Sequence, residues 1–578
     1  APADYVSVAS PAFINDDKRV MYFAIYDGSL SNKTSYMNGL NYYAYLKAMT
    51  SRFTFFMPND VALQHIYNPL SFKAQYPRML AIYETDYYKK NIQTKDPSYP
   101  QNPATPLAPL GYTYDVANAR RKNYMSSQLT KVSMDDMAGV LTDILQTHTL
   151  VHQNEAELIS QQKTLAVEDR DQYYVTKNND ALKLTFSPDG TLNYIQGGFQ
   201  IENEQAGIGQ TSPDDTTEET LGTAYCKVLK DQTQEFTPGG NGDTYIINAP
   251  AIGAIKSVND VLKEHDAFKR FLDLCECVDA EEETPEGELL FTLTDIIAAA
   301  GMYDNLKDSE IDRLNKYSYS VFRSAPKNCS LGQITSFFSQ YNYSVFVPTA
   351  EAIDRALADG SIIDWRNVVD DFKSCAKDNP DYSPSGTSPE NKYKYVIEKQ
   401  VDKDRIKAKI IYMFNWMRLH FMDTSVFADN SKWDEPKEYA TSCFYQDNNG
   451  GGNFVKLRVK RGGRGQMTVQ GLDVDAHMAV TTGTEANVLR DVDGQIPLRN
   501  IMAREILVVN ASGNETSIID ATPTDLNHTR IGSSSGAVVH LIDNVLLFKN
   551  AMPDFNNPAA VRAYIKYNKV MNKDSHDY

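Results

Sequence analysis

A ten-residue pattern near the start of the chain recurs in its second half. Residues 53–62 read FTFFMPNDVA and residues 343–352 read YSVFVPTAEA. In both copies an aromatic and β-branched run enters a proline, which is followed by a polar capping residue and then by an apolar helix start. Repetition of this kind indicates that the chain contains two copies of one domain rather than one large catalytic domain.

A second pair of matching segments predicts a β-hairpin in each half. Residues 181–195 and 455–469 alternate apolar and polar side chains on both sides of a glycine-containing turn, which is the pattern of two antiparallel strands. Both returning strands reach the same short motif, an apolar residue followed by Gln and Gly, at residues 195–197 and 469–471. The shared order of the segments supports a tandem repeat.

Two further segments recur on either side of these hairpins. An apolar helix that ends in histidine precedes each hairpin, at residues 137–148 and 406–420, and its apolar side chains follow helical spacing. A glycine and an apolar strand that ends on Asn248 or Asp543 close each half. Because helices cluster early and strands cluster late in each half, the sequence predicts the α+β class.

These segments divide the sequence into two expected domains and a tail. The first domain is expected at residues 1–264, the second at residues 265–550, and a C-terminal tail at residues 551–578. Each domain carries a polar, proline-containing insertion, near residues 76–114 and 377–394, and such composition is typical of surface loops. The first half is shorter in front of its signature strand than the second, so we expect part of the first domain upstream of the first residue.

Composition excludes several classes of protein. The chain has 578 residues, 42% of them hydrophobic, and a net charge of −18, so nucleic acid is excluded as a general partner because phosphate binding needs a basic surface. No apolar run approaches the roughly 20 residues that span a bilayer. Six cysteines do not make a disulfide scaffold in a chain of this length. Cys275 and Cys277 are predicted to lie on one helix as buried thiols.

At three places the sequence resembles the fasciclin-type domain. Residues 53–62 and 344–352 match its first signature strand, and residues 536–548, with His540 and Asp543, match its closing strand. The first half has asparagine in place of the closing aspartate and no histidine before it. The resemblance covers most of the chain and implies two α+β domains, each a twisted β-wedge or sandwich packed with a helical bundle.

The resemblance implies a function as well as a fold. It suggests a non-catalytic adhesion or ligand-binding protein, and the long insertions resemble those of bacterial cell-surface members of the family. We therefore expect an exported protein at the extracellular face of the outer membrane or in the periplasm, attached to the membrane only through a lipid anchor upstream of the first residue. Its expected partner is a host or matrix protein, or a polysaccharide.

Three other functions stay open at this point. The chain could be a glycan-capture protein that serves a polysaccharide uptake system, or a structural spacer without a ligand. It could also be a polysaccharide hydrolase whose carboxylate pair cannot be recognised among 75 acidic residues. A resemblance in fold alone does not decide between them.

Segments that match catalytic or metal-binding motifs are interpreted as structural. Residues 532–536 match Gly-x-Ser-x-Gly, but a nucleophile elbow needs a helix after it, and a strand follows here, so a flexible turn is expected. His148 and His152 could share a helical face, but the glutamate of a zinc-protease motif does not stand between them. We predict no catalytic residue, no metal site and no cofactor.

Basic residues of the second hairpin form the first candidate binding site. Lys456, Arg458 and Lys460 alternate with apolar residues, so the period of two places them on one face of the strand, with Arg461 at the turn. A basic strip on an acidic protein could hold a sulfated or carboxylated polymer. The alternative is a solvated strand face, or a sheet edge protected by lysine.

Tyrosines of the first insertion form the second candidate site. Tyr83, Tyr87 and Tyr88 lie close together in the sequence. Aromatic rings on loops can stack on sugars or anchor a protein interface. The alternative is that these rings hold the insertion against its own domain.

Overall fold

The computed structural model describes the chain in several stretches. They are residues 52–59, 62, 66–67, 78–81, 112–115, 130–131, 143–166, 169–217, 220–238, 240–283, 285, 289–302, 342–383, 389–446, 452–474, 480–490, 498–509, 515–517, 530–547 and 552–567. Each structural statement below concerns these residues.

The chain divides into two compact units. Unit 1 comprises residues 1–257, 429–431 and 502–536, and unit 2 comprises residues 258–428, 432–501 and 537–578. The chain first passes from unit 1 to unit 2 after Ser257, close to the expected boundary at residue 264. Segment 502–536 had been expected in the second domain, but it belongs to unit 1. Long-range pairing and buried contacts decide this division, and chain order does not.

The strands are short in the first half and longer in the second. In chain order they are β1 (Arg52–Pro58), β2 (Ile66–Tyr67), β3 (Arg78–Ala81), β4 (Tyr112–Asp115), β5 (Thr130–Lys131), β6 (Thr149–His152), β7 (Tyr173–Val175), β8 (Ala181–Phe186), β9 (Leu192–Gly197), β10 (Cys226–Lys227), β11 (Gly242–Ile247), β12 (Glu282–Glu283), β13 (Leu289–Phe291), β14 (Tyr343–Pro348), β15 (Ala376–Asp378), β16 (Tyr395–Ile397), β17 (Phe421–Asp423), β18 (Lys437–Gln446), β19 (Gly452–Gly463), β20 (Gln466–Val474), β21 (Val480–Asn487), β22 (Ile501–Val509), β23 (Glu515–Ser517) and β24 (Arg530–Ile542).

Most of the described helices belong to unit 2. In unit 1 lies α1 (Gly198–Gln205). In unit 2 lie α2 (Val258–Glu264), α3 (Lys269–Cys275), α4 (Leu293–Ala299), α5 (Ala350–Ala358), α6 (Trp365–Cys375), α7 (Pro389–Lys392), α8 (Gln400–Leu419) and α9 (Pro558–Tyr567). Residues 143–147 are also helical. Within unit 2, Trp365 of α6 is fully buried and its Nε1 donates to the Leu274 carbonyl of α3 at 2.7 Å. Helices and sheets in this mixture confirm the predicted α+β class.

Most of the described sheets lie within one unit. Unit 1 contains the strand orders β11-β1-β6, β10-β9-β8-β7 and β2-β3-β4-β5. In unit 2 the order is β21-β20-β19-β18-β17-β14-β24, beside the pairs β12-β13 and β15-β16. Strand β24 begins in unit 1 and ends in unit 2, because the division falls after Gly536.

The same three-stranded ladder lies at the centre of each unit. In unit 1, β1 runs parallel to β11 and antiparallel to β6, and in unit 2, β14 runs parallel to β24 and antiparallel to β17. The backbone N–H of Phe56 donates to the His148 carbonyl at 2.9 Å, and that of Phe346 donates to the His420 carbonyl at 3.0 Å. The repeat predicted from the signature strands and the two helix-ending histidines is therefore present in the backbone.

The closing residues of the two ladders make the same backbone clasp. Asn248 Oδ1 accepts from the Lys227 N–H at 2.8 Å, and Asp543 Oδ1 accepts from the Asn487 N–H at 2.7 Å. In return, the N–H groups of Asn248 and Asp543 donate to the carbonyls of the same two residues, at 3.0 and 3.1 Å. The backbone clasp needs one side-chain oxygen, which asparagine also has, whereas in unit 2 Asp543 Oδ2 accepts an additional bond from Asn487 Nδ2 at 2.8 Å.

Both predicted hairpins form, and both pack against their ladder. Strand β8 pairs with β9 and β19 pairs with β20, with antiparallel register in each case. In unit 1, Phe56 of the ladder shares a hydrophobic core with Leu182 of the hairpin. In unit 2, Phe346 shares the corresponding core with Leu457. The alternating pattern of the hairpins is therefore explained by one buried and one outward face.

Arg504 lies with two carboxylates in the interior of unit 1. Its Nη2 donates to Asp143 Oδ1 and, at 2.9 Å, to Ser534 Oγ, while its Nε lies 3.8 Å from Asp180 Oδ2. The three charged side chains are between 1% and 6% exposed. Burial raises the pKa of Asp180 to about 6, against the pull of Arg504. Gly253 permits this packing, because a Cβ there would meet Asp180 Oδ2 at 1.6 Å.

Several expectations drawn from local sequence are corrected. The first insertion, expected as a loop, contains β3 and β4, which pair with each other. The second insertion contains most of β15, which pairs with β16. Residues 532–536 lie within β24 and not in a flexible turn. These residues are extended because they pair with strands that are distant in the sequence, although their composition is typical of turns.

The cysteines described here are free, and most are buried. Cys226, Cys275, Cys277 and Cys443 are buried and Cys375 is half-buried. The predicted burial of Cys275 and Cys277 is confirmed, and burial raises the pKa of the Cys443 thiol to about 12. Cys277 does not lie on the helix with Cys275, because α3 ends at Cys275 and Cys277 has a left-handed φ of 56°.

Buried histidines predict a loss of stability in acid. Burial lowers the pKa of His420 to about 4, whereas an unfolded histidine titrates near 6.5. Its contribution to stability is therefore present above pH 6.5 and is lost as the pH falls toward 4. Asp180 acts in the opposite direction, because its folded pKa of about 6 lets protonation favour the folded state.

His420→Gln is expected to weaken this pH dependence. When the pH is lowered from 7 to 5, the free energy of unfolding of the variant should fall by about 2 kcal/mol less than that of the unmodified chain. Urea denaturation at the two pH values measures this. His265→Gln, a change at a half-buried ring, serves as the control. An unchanged pH dependence in His420→Gln would show that protonation of this ring is not linked to unfolding.

Candidate binding surface

The outward face of β19 carries the candidate cations, as the alternation predicts. Leu457 and Val459 are fully buried in the core of unit 2. Lys456 and Lys460 are exposed, and Arg458 is half-buried on the same outward face. The outward face of the hairpin therefore presents three cationic side chains, Lys456, Arg458 and Lys460, which we call the basic strip.

One carboxylate partly neutralises the basic strip. Glu438 lies opposite Arg458 on β18, with 3.0 Å between Arg458 Nη2 and Glu438 Oε1 and 3.9 Å between Lys456 Nζ and Glu438 Oε2. Lys460 makes no ion pair with another residue of the described part of the chain. Three cations thus share one directly paired anion, and exposed pairs of this kind contribute at most about 1 kcal/mol each.

Two neutral polar side chains, and beyond them a second carboxylate, lie beside the basic strip. Gln470 and Thr468 of β20 are opposite Arg458 and Lys460, respectively, and Glu485 of β21 is opposite Gln470. Adjacent strands lie about 4.8 Å apart. Amide and hydroxyl groups are therefore close enough to the cations for one extended ligand to contact both.

Unit 1 has the same hairpin but not the basic strip. Lys183 of β8 lies opposite Gln196, just as Arg458 lies opposite its glutamine in unit 2. The two positions that alternate with Lys183 on β8 hold Ala181, which is buried, and Thr185, so one cation replaces three. Among the described hairpins, the basic strip belongs to unit 2.

Arg461 is not part of this surface. It was expected at the turn, but β19 continues to Gly463, so the alternation directs Arg461 to the core side, where it is 5% exposed. Its guanidinium lies 4.3 Å from the ring centre of Trp433, and Lys437 Nζ lies 4.4 Å from the same ring. Arg461 is therefore a packing residue, held by a cation–π contact.

Arg490 is a cation near the hairpin that no sequence motif indicates. It follows β21, is exposed, and donates from Nη2 to the carbonyl of Arg464 in the β19–β20 turn at 2.6 Å. The only signal in the sequence is a single basic residue after a strand, which carries no specific information. Tertiary structure brings it to the turn.

The second candidate site cannot be placed. Tyr83, Tyr87 and Tyr88 lie outside the described residues. Their role in ligand binding stays a prediction.

The histidine pair has structural partners. His148 Nδ1 contacts the Ile144 carbonyl at 2.7 Å, and its Nε2 accepts from the Ala251 N–H at 2.8 Å. His152 Nε2 lies 2.9 Å from Thr54 Oγ1. Within the described stretches, no cluster of His, Cys, Asp and Glu side chains could hold a metal ion.

Comparisons with known proteins leave the chain without an assigned family. No family model and no curated protein matches it. One similar solved structure is the FAS1 domain pair from the insect cell adhesion molecule fasciclin I, with 11% identity, coverage of 93% of this chain and 99% of that chain, and a TM-score of 0.20. These values are too low to establish a common function. In the stretches that the structure describes, no helix is long and apolar enough to cross a membrane.

Proposed function

We propose that this chain is a non-catalytic adhesion or ligand-binding protein of the fasciclin type that acts outside the cell. The basic strip of unit 2 is the observation that carries the proposal, with an anionic polysaccharide as the ligand. The resemblance of the signature strands and the repeated ladder support the family part of the proposal. Display at a bacterial outer membrane rests on the resemblance of the insertions alone.

Charge favours an anionic polymer over a protein partner at this surface. The chain has a net charge of −18, so a local group of cations stands out against a repulsive background and would draw a polyanion to one place. The three cations form an extended strand surface, and the large exposed apolar side chain on the same face of β19, Phe454 at 38% exposure, lies at the end of the basic strip and not at its centre. Protein interfaces usually need a buried apolar anchor at their centre, and a linear glycan does not.

The test is loss of salt-sensitive binding after charge reversal. The triple variant Lys456→Glu, Arg458→Glu and Lys460→Glu is expected to bind a sulfated or carboxylated polysaccharide about 10- to 100-fold more weakly in low salt. Surface plasmon resonance at two salt concentrations measures this. The three side chains do not contribute to the core, so folding should be preserved.

Lys183→Glu is the matched control, because Lys183 occupies in unit 1 the place of Arg458 in unit 2. It should bind like the unmodified chain. Equal binding by the triple variant and the control would remove the basic strip as the site and direct attention to the tyrosines of the first insertion.

A further inference from the structure

Helix α1 carries two glutamates whose surroundings differ. Glu202 Oε2 lies 2.9 Å from Lys256 Nζ, so its charge is paired. Glu204 accepts from neutral groups, because Tyr225 Oη donates to its Oε1 at 2.9 Å and Gln196 Nε2 donates to its Oε2 at 2.7 Å. None of the ion pairs among the described residues includes Glu204. A half-buried carboxylate therefore keeps its negative charge without a cation from unit 1.

Two tyrosines lie beside this carboxylate. The rings of Tyr194 and Tyr225 make an edge contact with their centres 5.1 Å apart. Burial, followed by the hydrogen bond to Glu204 and the negative charge of that group, raises the pKa of Tyr225. Tyr194 is half-buried, like Glu204, so these two side chains form the part of the group that solvent reaches. Aromatic rings and a carboxylate both attract an organic cation.

Gln196 supplies a second acceptor next to the carboxylate. Its side chain is fully buried, its Nε2 also donates to the Ala224 carbonyl at 3.0 Å, and its Oε1 has no hydrogen-bond partner among the described residues. The nitrogen and oxygen of one amide are about 2.3 Å apart, so Gln196 Oε1 lies within about 5 Å of Glu204 Oε2. One ammonium group, which reaches acceptors at about 2.8 Å, can donate to both oxygens.

The corresponding face of unit 2 has no such carboxylate. In unit 1 the Gln-Gly motif ends β9 and α1 follows it, whereas in unit 2 the motif lies inside β20, which continues to Val474. Lys183 of β8 lies opposite Gln196, but no ion pair of the described chain joins it to Glu204. The outward face of the unit 1 hairpin is thus anionic where that of unit 2 is basic.

We propose that Glu204, Gln196, Tyr194 and Tyr225, which we call the Glu204 cluster, bind the ammonium group of an amino sugar. A carboxylate has about four acceptor sites, and two of those on Glu204 are used within unit 1. The ammonium takes one of the remaining sites, and a ring hydroxyl beside the amino group takes the other. Tyr194 packs against the sugar ring. A lysine side chain fits less well because it brings no hydroxyl group.

This inference goes beyond the proposed function, because it concerns the other unit and a ligand group of opposite charge. The test is titration calorimetry with a glucosamine tetramer, in low salt and at slightly acidic pH, where its amino groups are protonated. The N-acetylglucosamine tetramer is the matched ligand, since acetylation removes the charge and keeps the ring. The unmodified chain should bind the free amine at least about tenfold more tightly, and Glu204→Gln should remove most of this difference.

The control variant lies on the same helix. A chain with a net charge of −18 attracts any polycation, so a second carboxylate must be removed for comparison. Glu202→Gln removes a carboxylate that is already paired and should change affinity less than about twofold. Tyr194→Leu leaves both hydrogen bonds of Glu204 in place and should weaken binding about threefold. Thermal melts of each variant, followed by circular dichroism, check folding.

Each outcome supports or overturns the Glu204 cluster. Unchanged affinity in Glu204→Gln, or an equal loss in Glu202→Gln, overturns it. Where Glu204→Gln melts at a lower temperature, Tyr194→Leu decides, and unchanged affinity in that variant overturns the site. Equal binding of the two tetramers removes the ammonium as the recognised group, and tighter binding of tetralysine removes the amino sugar.

The charge-reversal variant of the basic strip separates this site from the proposed function. The variant should bind the glucosamine tetramer at least as tightly as the unmodified chain does, whether or not it loses the anionic polysaccharide. Loss of the glucosamine tetramer in that variant would contradict a site in unit 1.

Discussion

Arg504→Met is expected to lower the free energy of unfolding of unit 1 by about 3–5 kcal/mol. The guanidinium donates to Asp143 and Ser534 and faces Asp180 in a site where the three charged groups are almost fully buried. Methionine fills much of the same volume but leaves two buried carboxylates without a cation. Hydrogen exchange of β8 and β9, compared with that of β19 and β20, measures the effect unit by unit.

Two controls define this result. Arg458→Met removes an arginine from a half-buried outward position and is expected to change stability by less than about 1 kcal/mol. Combining Arg504→Met with Asp143→Asn should recover part of the loss, since one buried charge is then removed. A single variant Arg504→Met as stable as the unmodified chain would mean that the carboxylates are neutral or hydrated in the folded protein.

A fragment of residues 1–264, the first domain as expected from sequence, should not fold cooperatively. It lacks segment 502–536, which supplies Arg504 to the buried carboxylates and donates the Arg504 N–H to the Lys256 carbonyl at 2.7 Å. Without the segment, Asp143 and Asp180 lose their cation and the Asn178 carbonyl loses the Ser534 hydroxyl at 3.1 Å. The fragment should show a broad urea transition by circular dichroism.

The full-length chain is the reference for this experiment, and it should give sharp transitions under the same conditions. Rapid proteolysis of the fragment at β8 and β9 would agree with the expectation. A sigmoidal transition of the fragment, with protected amides in these strands, would show instead that residues 1–264 complete a stable domain by themselves.

Local chemistry explains why much of this fold could be predicted. The hairpins follow from alternating side chains and glycine turns, and the signature strands end at Pro58 and Pro348 in both ladders. The basic strip follows from the same alternation. Strict use of that alternation would also have placed Arg461 on the buried side with Leu457 and Val459, because a strand of 12 residues continues through it.

Other features depend on contacts that local sequence does not encode. Nothing in the sequence around Arg504 indicates that it meets Asp143 and Asp180, more than three hundred residues earlier in the chain. In the sequence Arg464 is simply an arginine between two glycines, and nothing there indicates its left-handed backbone conformation. The hydrogen bond from Arg490 to the Arg464 carbonyl likewise depends on the tertiary structure. Buried charge and backbone strain are tertiary properties, and one sequence reveals them only after the strands have been paired.

The return of segment 502–536 to unit 1 has a consequence for biosynthesis. A ribosome makes the chain from its N-terminus, so residues 1–257 exist long before Arg504 and Ser534 are synthesised. During that interval Asp143 and Asp180 have no buried cation and unit 1 cannot reach its final packing. Unit 1 is begun first but is complete only when residue 536 has been made, after most of unit 2. We therefore expect the buried carboxylates of unit 1 to lack their cation, and the nascent chain to stay open to misfolding, through most of its synthesis.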